Sequence, residues 1–148
     1  MTKKPLNVIL TDDDLDDRLF FEEAIEEIEV ATKLTTFNHG QHLMDYLHSN
    51  EAVLPDLIFL DLNMPIKNGM ECLTEIKRTP KLQNIIVAIY STSSSEADIE
   101  ETFVNGASIY INKPETFKEL KKAIEKVLQI NWQYHTSNLK KENFLLRL

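Results

Sequence analysis

The chain has one cysteine in 148 residues, Cys72, which excludes an internal disulfide and a cysteine-rich metal site and makes a reducing, cytoplasmic setting the expectation. No apolar run approaches the roughly 20 residues a membrane span needs, and the opening MTKKPLNVIL has no long apolar signal core with a cleavage site, so no membrane association is expected. Basic residues are in the minority. Sixteen Lys and Arg against 24 Asp and Glu leave a net charge of −8, which counts against nucleic acid as a direct partner. No internal repeat, low-complexity linker or second domain is visible. What remains is an ordinary globular balance, 43% hydrophobic and 27% charged, in a length that suits one domain.

The charge is unevenly spread. Residues 1–112 hold 8 basic and 20 acidic side chains, and residues 113–148 hold 8 basic and 4 acidic ones. The densest acidic stretch, Asp12-Asp13-Asp14-Leu15-Asp16-Asp17, is followed by Glu22, Glu23, Glu26, Glu27 and Glu29. The glutamates fit a solvated helix face. The aspartates ask for another explanation.

Short apolar runs alternate five times with longer amphipathic stretches. LNVILT at 6–11 reads as a buried strand, and 14–28 as a helix with Leu19, Phe21, Ala24, Ile25 and Ile28 inward. KLTTFN at 33–38 is β-prone, and 40–49 reads as a helix burying Leu43, Tyr46 and Leu47. LIFLD at 57–61 is a strand apolar on both faces, as in a sheet covered on both sides. The turn-rich Met64-Pro65-Ile66-Lys67-Asn68-Gly69 leads into a helix with Cys72, Leu73 and Ile76 on one face and Pro80 beyond its end. IIVAIY at 85–90 is the fourth strand, and Ser91 to Ser95 opens a helix through Ile99 and Phe103. SIYI at 108–111 is the fifth strand, and 117–130 is a helix with Phe117, Leu120, Ile124, Val127 and Leu128 periodic. Five βα units with short loops predict an α/β fold, a parallel sheet with helices on both faces.

In such a sheet, ligands bind beyond the carboxyl ends of the strands. The first strand ends in Asp12-Asp13-Asp14, the third in Asp61, the fourth in Ser91-Thr92 and the fifth in Asn112-Lys113-Pro114. Two unit charges about 4 Å apart repel by roughly 4 kcal/mol at an effective dielectric of about 20, so clustered aspartates call for a cation. Oxygen-only ligands suit a hard ion such as Mg²⁺. A lysine adds a second positive charge and a serine hydroxyl adds a donor. A phosphoryl group is the anion that would bridge metal, lysine and hydroxyl, and a carboxylate at the metal can act as nucleophile.

Each residue alone has a plainer role. Asp13 or Asp14 can cap the following helix, and Ser91 to Ser95 can do the same for theirs. Asp61 before a turn can be structural, Lys113 can be a surface lysine, and Cys72 belongs to the core. His39, His42, His48 and His135 show no ligand spacing and are assigned no role. The functional reading rests on four such groups arriving at the same ends of successive strands.

Four separated motifs, VILTDDD, LIFLDLNMPIKNGME, IYSTSS and GASIYINKP, give the chain a resemblance to the receiver domain of two-component response regulators, from about Leu6 to Leu128. DDDLDDR and STSSSEADI are most similar to the single-domain regulators that accompany phytochrome-type histidine kinases. The resemblance implies a flavodoxin-like doubly wound (βα)5 fold with strand order 2-1-3-4-5. It also implies that Asp61 is the phosphoacceptor and that Asp13, Asp61 and the backbone carbonyl of Asn63 bind Mg²⁺, with Asp12 holding a metal-bound water. Ser91 then matches the hydroxyl that turns to the phosphoryl group, Lys113 the lysine paired with it, and Tyr110 the aromatic that swings inward. Pro114 matches a proline preceded by a cis peptide bond. The output surface would be the fourth helix, fifth strand and fifth helix. Thr92 departs from the small residue usual after the hydroxyl, which predicts slower exchange at Asp61 than in a Thr92→Ala variant.

The expected organisation is a receiver at 1–130 and a C-terminal extension at 131–148 without an effector domain, which leaves no DNA binding in cis. The extension has two readings. Residues 138–148 could form a short amphipathic helix, with Leu139, Phe144, Leu145 and Leu148 partly on one side; the tail is then either packed on its own domain or frayed in solvent, or it is a dimer contact or docking segment. The expected function is a standalone phosphoacceptor switch, not a metabolic enzyme. A histidine kinase is its expected partner and a homodimer is possible. The alternatives are a phosphorelay intermediate serving a histidine phosphotransfer partner, or an aspartate-dependent phosphohydrolase. The latter usually wants a second acid where this chain has Asn63.

Overall fold

The apolar residues of each inner strand alternate between two faces, and this alternation places the sheet between two helical layers. The computed structural model describes residues 5–130 and 139–147. Chain order is β1 (Leu6–Thr11), α1 (Leu15–Glu26), β2 (Thr32–Phe37), α2 (Gly40–His48), β3 (Leu57–Leu60), α3 (Gly69–Arg78), β4 (Ile86–Ser91), α4 (Glu96–Val104), β5 (Ile109–Asn112), α5 (Phe117–Gln129) and a one-turn α6 (Lys141–Phe144). The five strands form one parallel sheet in the order β2-β1-β3-β4-β5, the flavodoxin-like arrangement expected.

Val8 and Leu10, Leu57 and Phe59, Ala88 and Tyr90, and Ile109 and Ile111 point to the layer of α1 and α5, where they meet Phe21, Ile25, Leu120 and Ile124. Ile9, Ile58, Leu60, Val87, Ile89 and Tyr110 point the other way, towards Leu43 and Leu47 of α2 and Cys72, Leu73 and Ile76 of α3. Burial pushes the Cys72 thiol up to about 12, consistent with a core role. The helices start on side-chain caps from Asp14, His39, Asn68, Ser95 and Thr116, and Asn68 with Glu71 completes a capping box.

Two expectations change. Leu19 is 47% exposed, because it lies about 200° round α1 from buried Phe21 and so faces solvent beside Leu15 and Phe20. Tyr46 is only partly buried, its hydroxyl donating to the Val53 carbonyl at the surface.

The described part of the extension packs on its own domain. Phe144 is fully buried, its ring 5.2 Å from Phe103 and 6.2 Å from Tyr110. Leu145 bridges to Tyr110 in parallel, and the Leu146 amide donates to the Tyr110 carbonyl at 2.9 Å, so this segment lies along the open side of β5. Lys126 of α5 donates to the Arg147 carbonyl, and Lys141 pairs with Glu100 of α4. The expected helix over 138–148 is one turn long, and residues 131–138 and 148 lie outside the described residues.

Candidate functional site

Parallel pairing sets the frame of the site. The Asp61 amide donates to the Thr11 carbonyl at 3.0 Å, and the Lys113 amide to the Ser91 carbonyl at 2.8 Å, so the residues just past β1, β3, β4 and β5 share one edge. Asp12 is fully buried there and Asp61 is 4% exposed, while Asp13 is exposed. One carboxylate oxygen from each of Asp12, Asp13 and Asp61 lies within 4.8 Å of the others. Two of the acids are also oriented from the backbone. Asp12 Oδ1 accepts from the Asp14 amide at 3.0 Å, and Asp61 Oδ1 from the Asn63 amide at 3.3 Å. Arg18 Nη1 donates to the Asp12 carbonyl at 2.7 Å and ties the strand end to α1. Asp14 is turned away as the N-cap of α1, accepting from the Asp17 amide.

Lys113 is the counter-charge. Its ammonium lies 2.9 Å from Asp12 Oδ2, 2.9 Å from Asp17 Oδ2 and 3.5 Å from Asp61 Oδ2, and 5.2 Å from the centre of the Tyr90 ring. Burial pulls this lysine down, but its close pairing with Asp12 and Asp17 and the nearby charge of Asp61 outweigh it and hold it above its ordinary value. Asp61 goes the other way. Burial pushes its carboxyl up to about 6, Lys113 opposes that, and the charge of Asp12 adds to it. A half-desolvated group of acids with one shared ammonium is short of positive charge. Its donors are all oxygens, so the chemistry fits a divalent hard cation.

Ser91 is fully buried, and its Oγ accepts from the Ser93 amide at 3.1 Å. Tyr110, also fully buried, donates from its hydroxyl to the Ser93 carbonyl at 2.8 Å, and Asn112 Nδ2 donates to the same oxygen. Ser91 and Tyr110 are thus joined through one residue of the β4–α4 loop, whose Ser95 caps α4. Gly69 sets the opposite wall, since a Cβ there would sit 2.1 Å from the Asp61 carbonyl oxygen. Only glycine lets α3 start this close to the β3 end.

The structure brings Asp12, Asp13, Asp61, Asn63, Ser91 and Lys113 to one edge, with Tyr110 one step behind. Pro114 is a correction: no peptide bond among the described residues is cis, so the bond from Lys113 is trans. Trans is the lower-energy isomer even before proline, by about 0.5–1 kcal/mol, and β5 already carries Lys113 to the acids through its bond to Ser91. Two residues were missed. Asp17 belongs to the dense acidic run but is given no role of its own there, and only its contact with Lys113 sets it apart. Phe144 carries no motif in the sequence, because its place against Tyr110 depends on tertiary contact.

The response regulator receiver domain model matches residues 8–125. This chain belongs to the response regulator receiver family. The response regulator Rcp1 of Synechocystis sp. is 30% identical over 125 residues, 82% of this chain and 85% of that protein. The structure of the phosphorylated cyanobacterial phytochrome response regulator RcpA superposes with a TM-score of 0.78 at 33% identity, covering 84% of this chain and 91% of that one. The Mn²⁺-bound form of Rcp1 superposes with a TM-score of 0.77 at 29% identity, covering 83% and 91%. The receiver described here is therefore a two-component signalling domain of the phosphoacceptor switch family, with an acidic trio compatible with a divalent metal. No helix among the described residues is long and apolar enough to cross a membrane.

Proposed function

We propose that Asp61 accepts a phosphoryl group from a histidine kinase in a Mg²⁺-dependent reaction, and that residues 1–130 form the signalling unit, with 131–148 an extension of it. The observation that carries this reading is the placement of a nearly buried carboxylate between two further acids and one shared ammonium. The carboxylates of Asp13 and Asp61 and the carbonyl of Asn63 are the groups that would hold Mg²⁺, with Asp12 holding one of its waters. The ion would supply charge neutralisation at the phosphoryl oxygens.

Asp61 contributes the nucleophile. One of its oxygens forms a bond to phosphorus as the bond from phosphorus to the donor imidazole nitrogen breaks, and the imidazole keeps the electron pair. Lys113 sits where it can pair with the oxygens that arrive. Ser91 exchanges its bond with the Ser93 amide for one to a phosphoryl oxygen, which frees the loop that Tyr110 now holds through Ser93. Phosphorylation adds about −1.5 to −2 charge and three acceptor oxygens, enough to bias such a bistable loop. Reversal needs a water to attack phosphorus, which returns the Asp61 carboxylate and releases inorganic phosphate. The output surface in this reading is α4, β5 and α5. A phosphohydrolase reading is disfavoured by Asn63, which stands where such enzymes usually place a second acid.

The test is incubation with Mg²⁺ and acetyl phosphate, read by intact mass. Wild type gains one phosphoryl group and Asp61→Asn gains none. An equal gain in both proteins refutes the assignment.

A further inference from the structure

Lys113 has three N–H donors and three acidic neighbours, and the sharing is unequal. Its contacts to Asp12 and Asp17 are 2.9 Å each, and its contact to Asp61 is 3.5 Å. Asp12 belongs to the trio of acids whose oxygens converge; Asp17 does not. Asp17 sits in the first turn of α1, its amide bonded to the Asp14 side chain, and it meets the site through the ammonium of Lys113. The lysine side chain is only 9% exposed, so what it faces is decided by these acids and by the Tyr90 ring beneath it rather than by water.

A phosphoryl group on Asp61 adds a competitor for the same ammonium. Its oxygens carry more charge than a carboxylate, and charge-assisted bonds to it are strong. For Lys113 to turn fully towards it, one existing partner must yield. Asp12 is fully buried and loses most if left unpaired. The Asp17 side chain is 36% exposed, so water can replace the lysine there.

We infer that Asp17 is a positioning residue for Lys113: it holds the ammonium back from Asp61 in the unphosphorylated receiver and so limits how firmly a phosphoryl group is retained. The inference deepens the reading of Asp61 as phosphoacceptor and rests on it. Losing Asp17 then frees the lysine for the phosphoryl oxygens. A partly exposed ion pair of this kind is worth at most about a fivefold change in an equilibrium constant.

The experiment titrates beryllofluoride, with Mg²⁺ saturating, into wild type, Asp17→Asn, Asp17→Glu, Asp16→Asn and Asp61→Asn, followed by NMR. Phosphoryl lifetimes after acetyl phosphate are measured in parallel. Asp17→Asn is expected to bind beryllofluoride about three- to fivefold more tightly and to keep its phosphoryl group longer by a similar factor. The Lys113 side-chain nitrogen resonance should already be displaced in the metal-free, unliganded variant, a change that a general loosening of α1 does not produce. Asp17→Glu restores the charge and the hold, and should fall within twofold of wild type.

Three outcomes overturn the inference while leaving Asp61 in place. The first is unchanged or weaker binding in Asp17→Asn, which would make Asp17 an aligner or a bystander. The second is an equal gain in Asp16→Asn, which would make the effect one of general charge. The third is an unmoved Lys113 resonance. Failure of wild type to bind beryllofluoride at all would remove the Asp61 reading and this inference with it, and Asp61→Asn sets that baseline.

Discussion

Two lysines in this receiver are each held by acids beside a strand-to-helix turn, and they differ in what those acids would otherwise face. Lys113 is 9% exposed at its side chain and is shared by Asp12, Asp17 and Asp61, two of which are buried. Lys67, on the β3–α3 loop, pairs with Glu75 of α3, which also meets His48 of α2 at 2.6 Å, and both of its acid's partners sit near solvent. The hydrogen bond from Lys67 holds Glu75 below its usual range, against a smaller effect of burial. At the strand edge, burial instead leaves Asp61 above its range despite Lys113. The same pair of groups thus acts as a surface clamp in one place and leaves an unmet demand for positive charge in the other. Burial is the larger part of that difference, and the neighbouring charges of Asp12 and Asp13 add to it.

Breaking the two lysines should expose that difference. Lys113→Ala leaves buried acids without a counter-charge and is expected to cost about 3–5 kcal/mol at neutral pH in metal-free buffer, measured by urea unfolding. Added Mg²⁺ should recover more stability in this variant than in wild type. A loss below that of Lys67→Ala would reverse the comparison.

The next effect in size comes from Asp61. Its raised carboxyl favours folding at low pH, where it is protonated, and that contribution is lost as pH rises through about 6. Asp61→Asn should therefore match wild type near pH 4 in metal-free buffer and exceed it by up to about 3 kcal/mol at pH 8. A constant difference across that range would mean the carboxyl is not strained by burial.

A glycine backs the phosphoacceptor candidate and another backs the Lys67 loop, which sharpens the comparison. A Cβ on Gly69 would lie 2.1 Å from the Asp61 carbonyl oxygen, and one on Gly40 2.1 Å from that of Lys67. Either Gly→Ala change is expected to cost about 1–3 kcal/mol, but only Gly69→Ala should also slow phosphoryl uptake from acetyl phosphate. Lys67→Ala is the smallest effect, below about 1 kcal/mol, with uptake unchanged.

The sequence showed where chemistry collects because strand ends are local. Runs such as LIFLD and IIVAIY mark where a buried strand stops, and the residue that follows is delivered to the edge whatever the rest does. Asp12, Asp61, Ser91 and Lys113 were legible for that reason. Asp17 was not, because nothing in a run of five aspartates singles it out until the position of Lys113 is known. Leu19 was misplaced by helical phase: it is two residues before Phe21, and only packing decides which of two overlapping apolar stripes faces the sheet. The bond before Pro114 followed from resemblance alone, with no local residue demanding it.

The segment along β5 has a consequence for anything that seeks this side of the sheet. Leu145 and Leu146 already use the Tyr110 backbone, and Phe144 fills the space beside Phe103. A visiting strand or aromatic anchor would meet an occupant tied to the same polypeptide and therefore present at every encounter, however dilute the protein. Affinity for this flank is then a contest against an internal rival, and a newcomer must beat its own host's chain before it gains a foothold.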